Sequence, residues 1–481
     1  MSLRPPDPQA IVVFGASGDL TSRKIMPALY NLFVQDLLPE GFAIIGYSRT
    51  KYSDEDFRKK AKEDVAEFSR TKIDKKAWEA FAAKVRYVSG EFDSEGAMDH
   101  LVDHLKDADE SFGVQGRRMF YCATPPSAFP HIANRLRETG LAADSKIVIE
   151  KPFGSDLKSA RDLNETLHEA FGEDQIFRID HYLGKETVQN ILVFRFSNGM
   201  FEPIWNRRHV ARVEIDVAES IGIEGRGRFY EEAGAMRDIM QNHVLQLLAF
   251  LTMEPPAAFE APAIRAEKIK LLGSIPPVEV KSVVRGQYAS GTVDGERVPG
   301  YREEPDVAPD SKTETFAAIR VEIENWRWAG IPFYLRTGKR LARRATSATI
   351  VFNEAPLMIF RQSGIERPDP NHIEIRIQPD EGIALSFGAK VPGPEMRVAP
   401  VVMDFNYEES FMTEPSEAYE RLIHDVMCGD QTLFTSAEEI ERAWEILDPV
   451  LQPAQPDPYF AGTWGPQEAG RLIAPHAWHL R

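Results

Sequence analysis

Hydrophobic positions in the first third of the chain fall in short solid runs. Ile11 to Phe14, Phe42 to Tyr47, Arg118 to Ala123 and Lys146 to Ile149 are such runs, and each stops at a turn. The turns read Gly15-Ala16-Ser17-Gly18-Asp19-Leu20, Ser48-Arg49-Thr50, Thr124-Pro125-Pro126 and Glu150-Lys151-Pro152-Phe153-Gly154. After the first turn, Lys24 to Leu38 places Ile25, Leu29, Leu32 and Phe33 at helical spacing. Apolar runs alternating with helices predict an α/β domain, a Rossmann-like, doubly wound parallel sheet with its binding crevice at the strand C-termini.

Past Glu186 the pattern changes to alternation. Between Val210 and Glu219, Val213, Ile215 and Val217 share one parity while Arg212, Glu214 and Asp216 share the other. Ile319 to Glu324 and Ile373 to Gln378 alternate likewise. Half-buried strands of this kind predict an α+β C-terminal domain with a large, mostly antiparallel sheet packed on helices. Its second face is then open to solvent or a partner. Tyr230 to Glu254 carries Met236, Ile239, Met240, Val244, Leu247, Leu248 and Leu251 at helical spacing. A chain of 481 residues exceeds what one core usually supports. Two domains are therefore expected, 1–180 for a dinucleotide and 181–481 for substrate binding and self-association.

Composition narrows the partners. The net charge of −17 disfavours nucleic acid and anionic membrane surfaces, which would repel it at long range. Only two cysteines, Cys122 and Cys428, are present, so a disulfide framework is excluded and a reducing compartment, the cytoplasm by default, is expected. The N-terminal residues hold too short an apolar stretch for a signal-peptide core, and no run approaches a membrane span.

Within this frame several polar groups stand out. The turn after the first run feeds a helix start, which offers backbone N–H groups and a partial positive charge to a pyrophosphate. The second run ends in Ser48 and Arg49 where a carboxylate would favour NAD; a hydroxyl and a cation suit a 2′-phosphate, hence NADP. Glu219 has the parity of Val213, Ile215 and Val217, so a persisting strand would point its carboxylate to the apolar side, where it needs a partner or ligand; a strand ending at Ala218 would turn it outward. Asp238 and His243 lie five apart on the long helix, roughly 140° around an α-helix, so both reach one ligand only across the helix start. The cations Arg336, Lys339, Arg340, Arg343 and Arg344 cluster in an otherwise acidic chain, as an anion-steering patch or as a solvated turn. His100 and His104 sit among Asp99, Asp103 and Asp107 and read as a solvated face; no metal site is expected.

The densest cluster is Arg178-Ile179-Asp180-His181-Tyr182-Leu183-Gly184-Lys185-Glu186. Taken with the glycine turn, Glu150 to Gly154, Arg237 to His243 and Arg336 to Lys339, it resembles the glucose-6-phosphate dehydrogenase family over nearly the whole chain. That resemblance implies oxidation of glucose 6-phosphate at C1 to the 1,5-lactone, the first step of the oxidative pentose phosphate pathway, with hydride passing to NADP. His243 then matches the general base, and Asp180 the carboxylate that orients it and stabilises its protonated form. His181, Tyr182 and Lys185 match the 6-phosphate site, and Glu219 and Asp238 match sites for sugar hydroxyls. Lys339 and Arg344 match further substrate contacts, and Lys151 lies between sugar and nicotinamide, with Lys151-Pro152 a candidate cis bond. Gly15, Ser17, Gly18, Asp19 and Leu20 match the pyrophosphate turn, and Arg49 the arginine facing the 2′-phosphate. NAD is a weaker alternative cofactor, no metal is implied, and a homodimer or homotetramer is expected. The rival readings are an unphosphorylated-sugar dehydrogenase of the glucose-fructose oxidoreductase type and a non-enzymatic NADP sensor; the intact polar set speaks against both.

Overall fold

The computed structural model describes residues 5–91, 97–357, 359, 370–411 and 417–480. The chain forms two compact units. The first comprises Met1–Glu186, Ala257–Arg265 and Pro415–Glu441; the second comprises Thr187–Pro256, Ala266–Glu414 and Arg442–Arg481.

The first unit is built on β1 (Gln9–Phe14), β2 (Phe42–Ser48), β3 (Val85–Ser89), β4 (Arg118–Cys122), β5 (Ser145–Glu150) and β6 (Ile176–Ile179). All pairings are parallel, in the order β3-β2-β1-β4-β5-β6. That order reverses between β1 and β4, the place where a doubly wound sheet opens its ligand crevice. β1, β2 and β4 are buried throughout, as the solid runs require. β3 and β6 extend the sheet at its two edges beyond the four expected strands. After the glycine turn the chain winds as a π-helical turn, Thr21–Ile25, and then as the α-helix Met26–Val34. The helix Ala418–Cys428 also belongs to this unit: Glu420 receives Arg70 in a bidentate pair (2.7 Å to each oxygen) and Asn31 Nδ2 at 2.9 Å.

The second unit contains β7 (Val210–Ala218), β8 (Val283–Ala289), a small ribbon of β9 (Gly291–Val293) and β10 (Glu296–Val298), then β11 (Phe316–Glu322), β12 (Pro332–Gly338), β13 (Ala345–Phe352), β14 (His372–Gln378), β15 (Gly382–Lys390), β16 (Val398–Asn406) and β17 (Asp457–Phe460). Nine of these form one mixed sheet, β16-β15-β14-β13-β7-β12-β11-β8-β17. Only the β7–β12 and β8–β17 pairs are parallel in it.

The second face of this sheet departs from the expected openness. Glu214 and Asp216 on β7 are as buried as their apolar neighbours, at 0% and 1% exposure. Their charges are paired, Glu214 with Arg212 at 2.9 Å and Asp216 with Arg336. The C-terminal segment roofs them: the Arg336 guanidinium stacks 4.3 Å from the Trp478 ring and donates to the Leu480 carbonyl, and Glu214 accepts from the His479 N–H at 2.7 Å. Burial raises the Asp216 carboxyl to about 6 although Arg336 opposes the shift. Exposure lies further out, at the edge strand β16, where Val401, Val402 and Met403 meet solvent on both faces.

Candidate active site

In the first unit the glycine turn sits at the switch point. Gly15 has φ +83°, and a Cβ there would lie 2.2 Å from the Ala123 carbonyl oxygen, so the β1 and β4 tails approach closely only because residue 15 has no side chain. The turn is tied by Gly18 N–H to the Gly15 carbonyl (2.9 Å) and by the Thr21 hydroxyl to the same oxygen (3.1 Å). Ser17 Oγ accepts from the Ser48 and Thr50 hydroxyls at 2.9 and 3.0 Å. Ser48 also shares a 2.7 Å bond with the Tyr87 phenol and is buried, which leaves Arg49, Thr50 and Lys51 as the exposed polar groups where β2 ends. Asp19 is exposed and pairs with Arg23 at 2.7 Å; Leu20 opens the helical turn.

Lys151 follows β5, and the Lys151-Pro152 peptide is cis. Just before it, Glu150 is a buried carboxylate that accepts from the Tyr121 phenol at 2.6 Å and from the Tyr419 phenol. Burial raises it to about 7; the two phenols and Lys151 oppose the shift, and Asp180 adds to it. Sequence reasoning missed this group. Its one visible signal is an acid at the end of a strand buried on both faces.

The nonapeptide separates into structural and presented groups. Arg178 is fully buried and spent on Glu173 (2.8 and 3.0 Å) and Asn164 (3.0 Å). Asp180, 1% exposed, accepts from the Tyr182 N–H at 3.0 Å through one oxygen. Lys185 Nζ stands 4.8 Å from the centre of the Tyr182 ring, a cation–π contact, and the His181 ring lies edge-on to Tyr182 at 5.3 Å. Tyr419 stacks near-parallel to His181 at 6.4 Å. Gly184 lets the helix Ala418–Cys428 close in, since a Cβ there would stand 2.9 Å from the Ala418 carbonyl oxygen.

In the second unit β7 ends at Ala218, yet Glu219 does not turn to solvent. Its N–H donates to the Gly338 carbonyl at 2.9 Å and its carboxylate meets Lys339 Nζ at 2.7 Å. Lys339 is 1% exposed; its N–H donates to the Thr315 carbonyl and its own carbonyl accepts from the Tyr459 phenol at 2.6 Å. The ammonium also faces the Tyr230 ring at 5.3 Å. Burial pushes the Tyr230 phenol well up, helped by the nearby charges of Asp238, Glu219 and Glu314. The cationic cluster therefore splits: Arg336 and Lys339 are interior, whereas Arg343 and Arg344 are exposed, Arg344 donating to Gln378 at 3.0 Å.

The long helix is interrupted. Gly227–Ala235 is broken at Gly234, Met236–Val244 winds as a π-helix, and α-helical winding resumes at Leu245–Thr252. This corrects the angular constraint read from an α-helix. Winding with i to i+5 bonding has more residues per turn than an α-helix, so Asp238 and His243 stand closer to one side than the roughly 140° of α-helical geometry. They are buried, at 8% and 1% exposure. Asn242 locks the segment, donating to the Asp238 carbonyl at 3.0 Å and accepting from the His243 N–H. π-helical insertions are frequent at functional sites. Residue spacing alone carries no sign of one.

A switch-point glycine turn in a doubly wound sheet, together with a second unit presenting buried acids, a lysine and a histidine, defines a nicotinamide-dinucleotide-dependent oxidoreductase. Two family models match the chain: "Glucose-6-phosphate dehydrogenase, NAD binding domain" over residues 12–190 and "Glucose-6-phosphate dehydrogenase, C-terminal domain" over residues 192–480. The chain belongs to the glucose-6-phosphate dehydrogenase family. It is 47% identical over 477 residues to glucose-6-phosphate 1-dehydrogenase 2 of Mycobacterium tuberculosis, covering 97% of this chain and 93% of the relative. It is 46% identical over 484 residues to glucose-6-phosphate 1-dehydrogenase of Chlamydia pneumoniae, covering 97% and 94%. Among solved structures it superposes on a glucose-6-phosphate dehydrogenase in complex with its substrate glucose-6-phosphate with a TM-score of 0.90, at 36% identity over 100% of both chains.

Proposed function

We propose that this chain oxidises the C1 hydroxyl of D-glucose 6-phosphate to 6-phospho-D-glucono-1,5-lactone with NADP as hydride acceptor. The carrying observation is the match over the full length of both chains to a family member in complex with glucose-6-phosphate. His243 takes the C1 hydroxyl proton, a task suited to an imidazole as general base. Asp180 is the supporting carboxylate that stabilises the imidazolium so formed. When bound, the nicotinamide ring supplies the hydride-accepting carbon.

His181, Tyr182 and Lys185 receive the 6-phosphate; the Lys185 ammonium and Tyr182 ring already face one another, and a planar imidazole, a phenol and an ammonium suit a dianion. Glu219, Asp238, Lys339 and Arg344 bind the sugar, with the Glu219–Lys339 pair offering an acceptor and a donor side by side. Lys151 serves both ligands. Gly15, Ser17, Gly18, Asp19 and Leu20 hold the pyrophosphate against the helix start, in a turn whose close approach to the β4 tail requires glycine at residue 15. Exposed Arg49 meets the 2′-phosphate, which favours NADP over NAD. Among the described residues no helix is long and apolar enough to cross a membrane. The acidic charge and a count of only two cysteines support a cytoplasmic enzyme. The exposed apolar residues of β16 support self-association as a dimer or tetramer.

The substrate assignment is tested by comparing kcat/KM for glucose 6-phosphate and glucose. A preference for the phosphorylated sugar of at least about a thousandfold is expected, reduced at least about tenfold by Lys185→Ala. Equal use of both sugars would favour the unphosphorylated-sugar rival.

A further inference from the structure

The π-helical segment that carries Asp238 and His243 has no cap of its own. Its flanking residue, Ala235, is already in the right-handed helical region and supplies no side-chain acceptor. A helix start needs acceptors for its first N–H groups. Here they come from a residue far along the chain. Glu314, just ahead of β11, accepts from the Met236 N–H through Oε1 at 3.2 Å and from the Ala235 N–H through its carbonyl at 2.9 Å.

The local backbone is shaped around this acid. Gly234 holds φ 60° and ψ 179°, a region essentially restricted to glycine, and a Cβ there would stand 2.5 Å from Glu314 Oε1. Glu314 is 9% exposed, and burial raises its carboxyl while Arg285 and Arg237 act against the shift. A buried acid is a costly way to cap a helix if stability is the only gain, because Ser, Thr or Asn at the flanking position would do so without desolvating a charge. The next residue makes a second tie. The Thr315 carbonyl accepts from the Lys339 N–H at 2.9 Å, and its hydroxyl lies 3.1 Å from the Tyr459 phenol, which itself donates to the Lys339 carbonyl.

We propose that Glu314 is a positioning residue for the reaction: its carboxylate and carbonyl set the start, and hence the rotation, of the π-helical segment, while Thr315 fixes Lys339 from the same point. The dipeptide 314–315 thereby joins the segment bearing Asp238 and His243 to the turn bearing Lys339, giving one frame for groups that must meet one sugar. This rests on the proposed roles of His243, Asp238 and Lys339.

The test uses the full-length enzyme with Glu314→Ala, Glu314→Asp and Glu314→Gln, assayed well below each variant's melting temperature. Displacing the segment by a fraction of an ångström should lower kcat about ten- to a hundredfold and raise KM for glucose 6-phosphate at least about threefold in Glu314→Ala. KM for NADP should stay within about twofold, since that ligand is assigned to the other unit. Glu314→Asp, which withdraws the acceptor by one methylene with little loss of polarity, should move both constants in the same direction. Glu314→Gln keeps an acceptor oxygen for the Met236 N–H and should recover most of the loss. A lower Vmax with both KM values unchanged would mean only a smaller folded fraction and would overturn the proposal, as would an equal defect in Glu314→Gln and Glu314→Ala. His243→Asn separates the two levels. If it abolishes turnover while Glu314→Ala and Glu314→Asp behave as wild type, only the positioning role fails; if it turns over normally, the base assignment fails and the positioning role with it.

Discussion

Lys339 Nζ and Glu219 Oε2 lie 2.7 Å apart at the ends of the parallel neighbours β12 and β7, with the lysine side chain 2% exposed and the glutamate 24%. Such a pair costs desolvation to build and more to break, because removing one partner strands the other. Lys339→Met is expected to destabilise the fold by about 1–3 kcal/mol, and Glu219→Gln by less. The double variant should recover part of the sum, and a double-mutant cycle by chemical denaturation measures the coupling. Additive losses would show that the two charges do not depend on one another.

Gly15→Ala puts a Cβ into the Ala123 carbonyl, which would stand 2.2 Å away, and does so at φ +83°. The β1 and β4 tails must separate and the turn must reshape. KM for NADP is expected to rise at least about tenfold with KM for glucose 6-phosphate changed less than about threefold. Nucleotide titration followed by fluorescence would check the binding step directly. Unaltered NADP binding would remove the turn from the cofactor site.

Arg49 is exposed at the end of β2, whereas its neighbour Ser48 is buried and bonded to Ser17 and Tyr87. On the proposed reading, discrimination between the cofactors falls on the arginine. Arg49→Ala should lower kcat/KM for NADP about ten- to a hundredfold and leave that for NAD within about threefold. A parallel fall with both cofactors would show that the guanidinium does not read the 2′-phosphate.

Glu150 gives a pH signature. Its carboxyl is raised from 4.5 to about 7 in the folded state, chiefly by burial. Between those values the native protein holds a proton that the unfolded chain has released, so this contribution to stability is complete below about pH 4.5 and is lost as pH rises through about 7. Glu150→Gln stays neutral throughout. Relative to wild type it should gain stability between about pH 5 and about pH 8, by about 3 kcal/mol at most. Denaturation midpoints of both proteins at the two pH values measure the difference. A constant gap between them would mean that Glu150 does not titrate in this range.

The parts of the architecture that follow from local pattern were legible in the chain. The solid runs of β1, β2, β4 and β5 could only be strands buried on both faces, and the parity of Val213, Ile215 and Val217 marked a half-apolar strand. β3 and β6 were harder because Val85–Ser89 and Ile176–Ile179 are short edge strands that interleave with polar residues. The burial of Glu214 and Asp216 depends on Arg336 and the roof of Trp478 and Leu480, which no local pattern announces. Nor does the hydrophobic pattern mark the return of residues 415–441 to the first unit.

The candidate site divides in the same way. The nonapeptide, the glycine turn and the odd parity of Glu219 were visible because their residue types are unusual where they stand. The π-helical winding of Met236–Val244 was not: residue spacing carries no sign of it, and Glu314, which accepts from the Met236 N–H, lies far along the chain. The Glu150 network was hidden for a like reason: its phenols, Tyr121 and Tyr419, come from distant parts of the sequence.

The central claim is that His243 removes the C1 hydroxyl proton of glucose 6-phosphate as hydride passes from C1 to NADP. It is tested most directly by following reduced cofactor at about 340 nm with glucose 6-phosphate and NADP, for wild type and His243→Asn side by side. The wild type should reduce NADP faster than NAD, and His243→Asn should lose at least about a thousandfold in kcat with KM for glucose 6-phosphate changed less than about fivefold. No reduction of either cofactor by the wild type, or turnover by His243→Asn within about tenfold of it, would contradict the account.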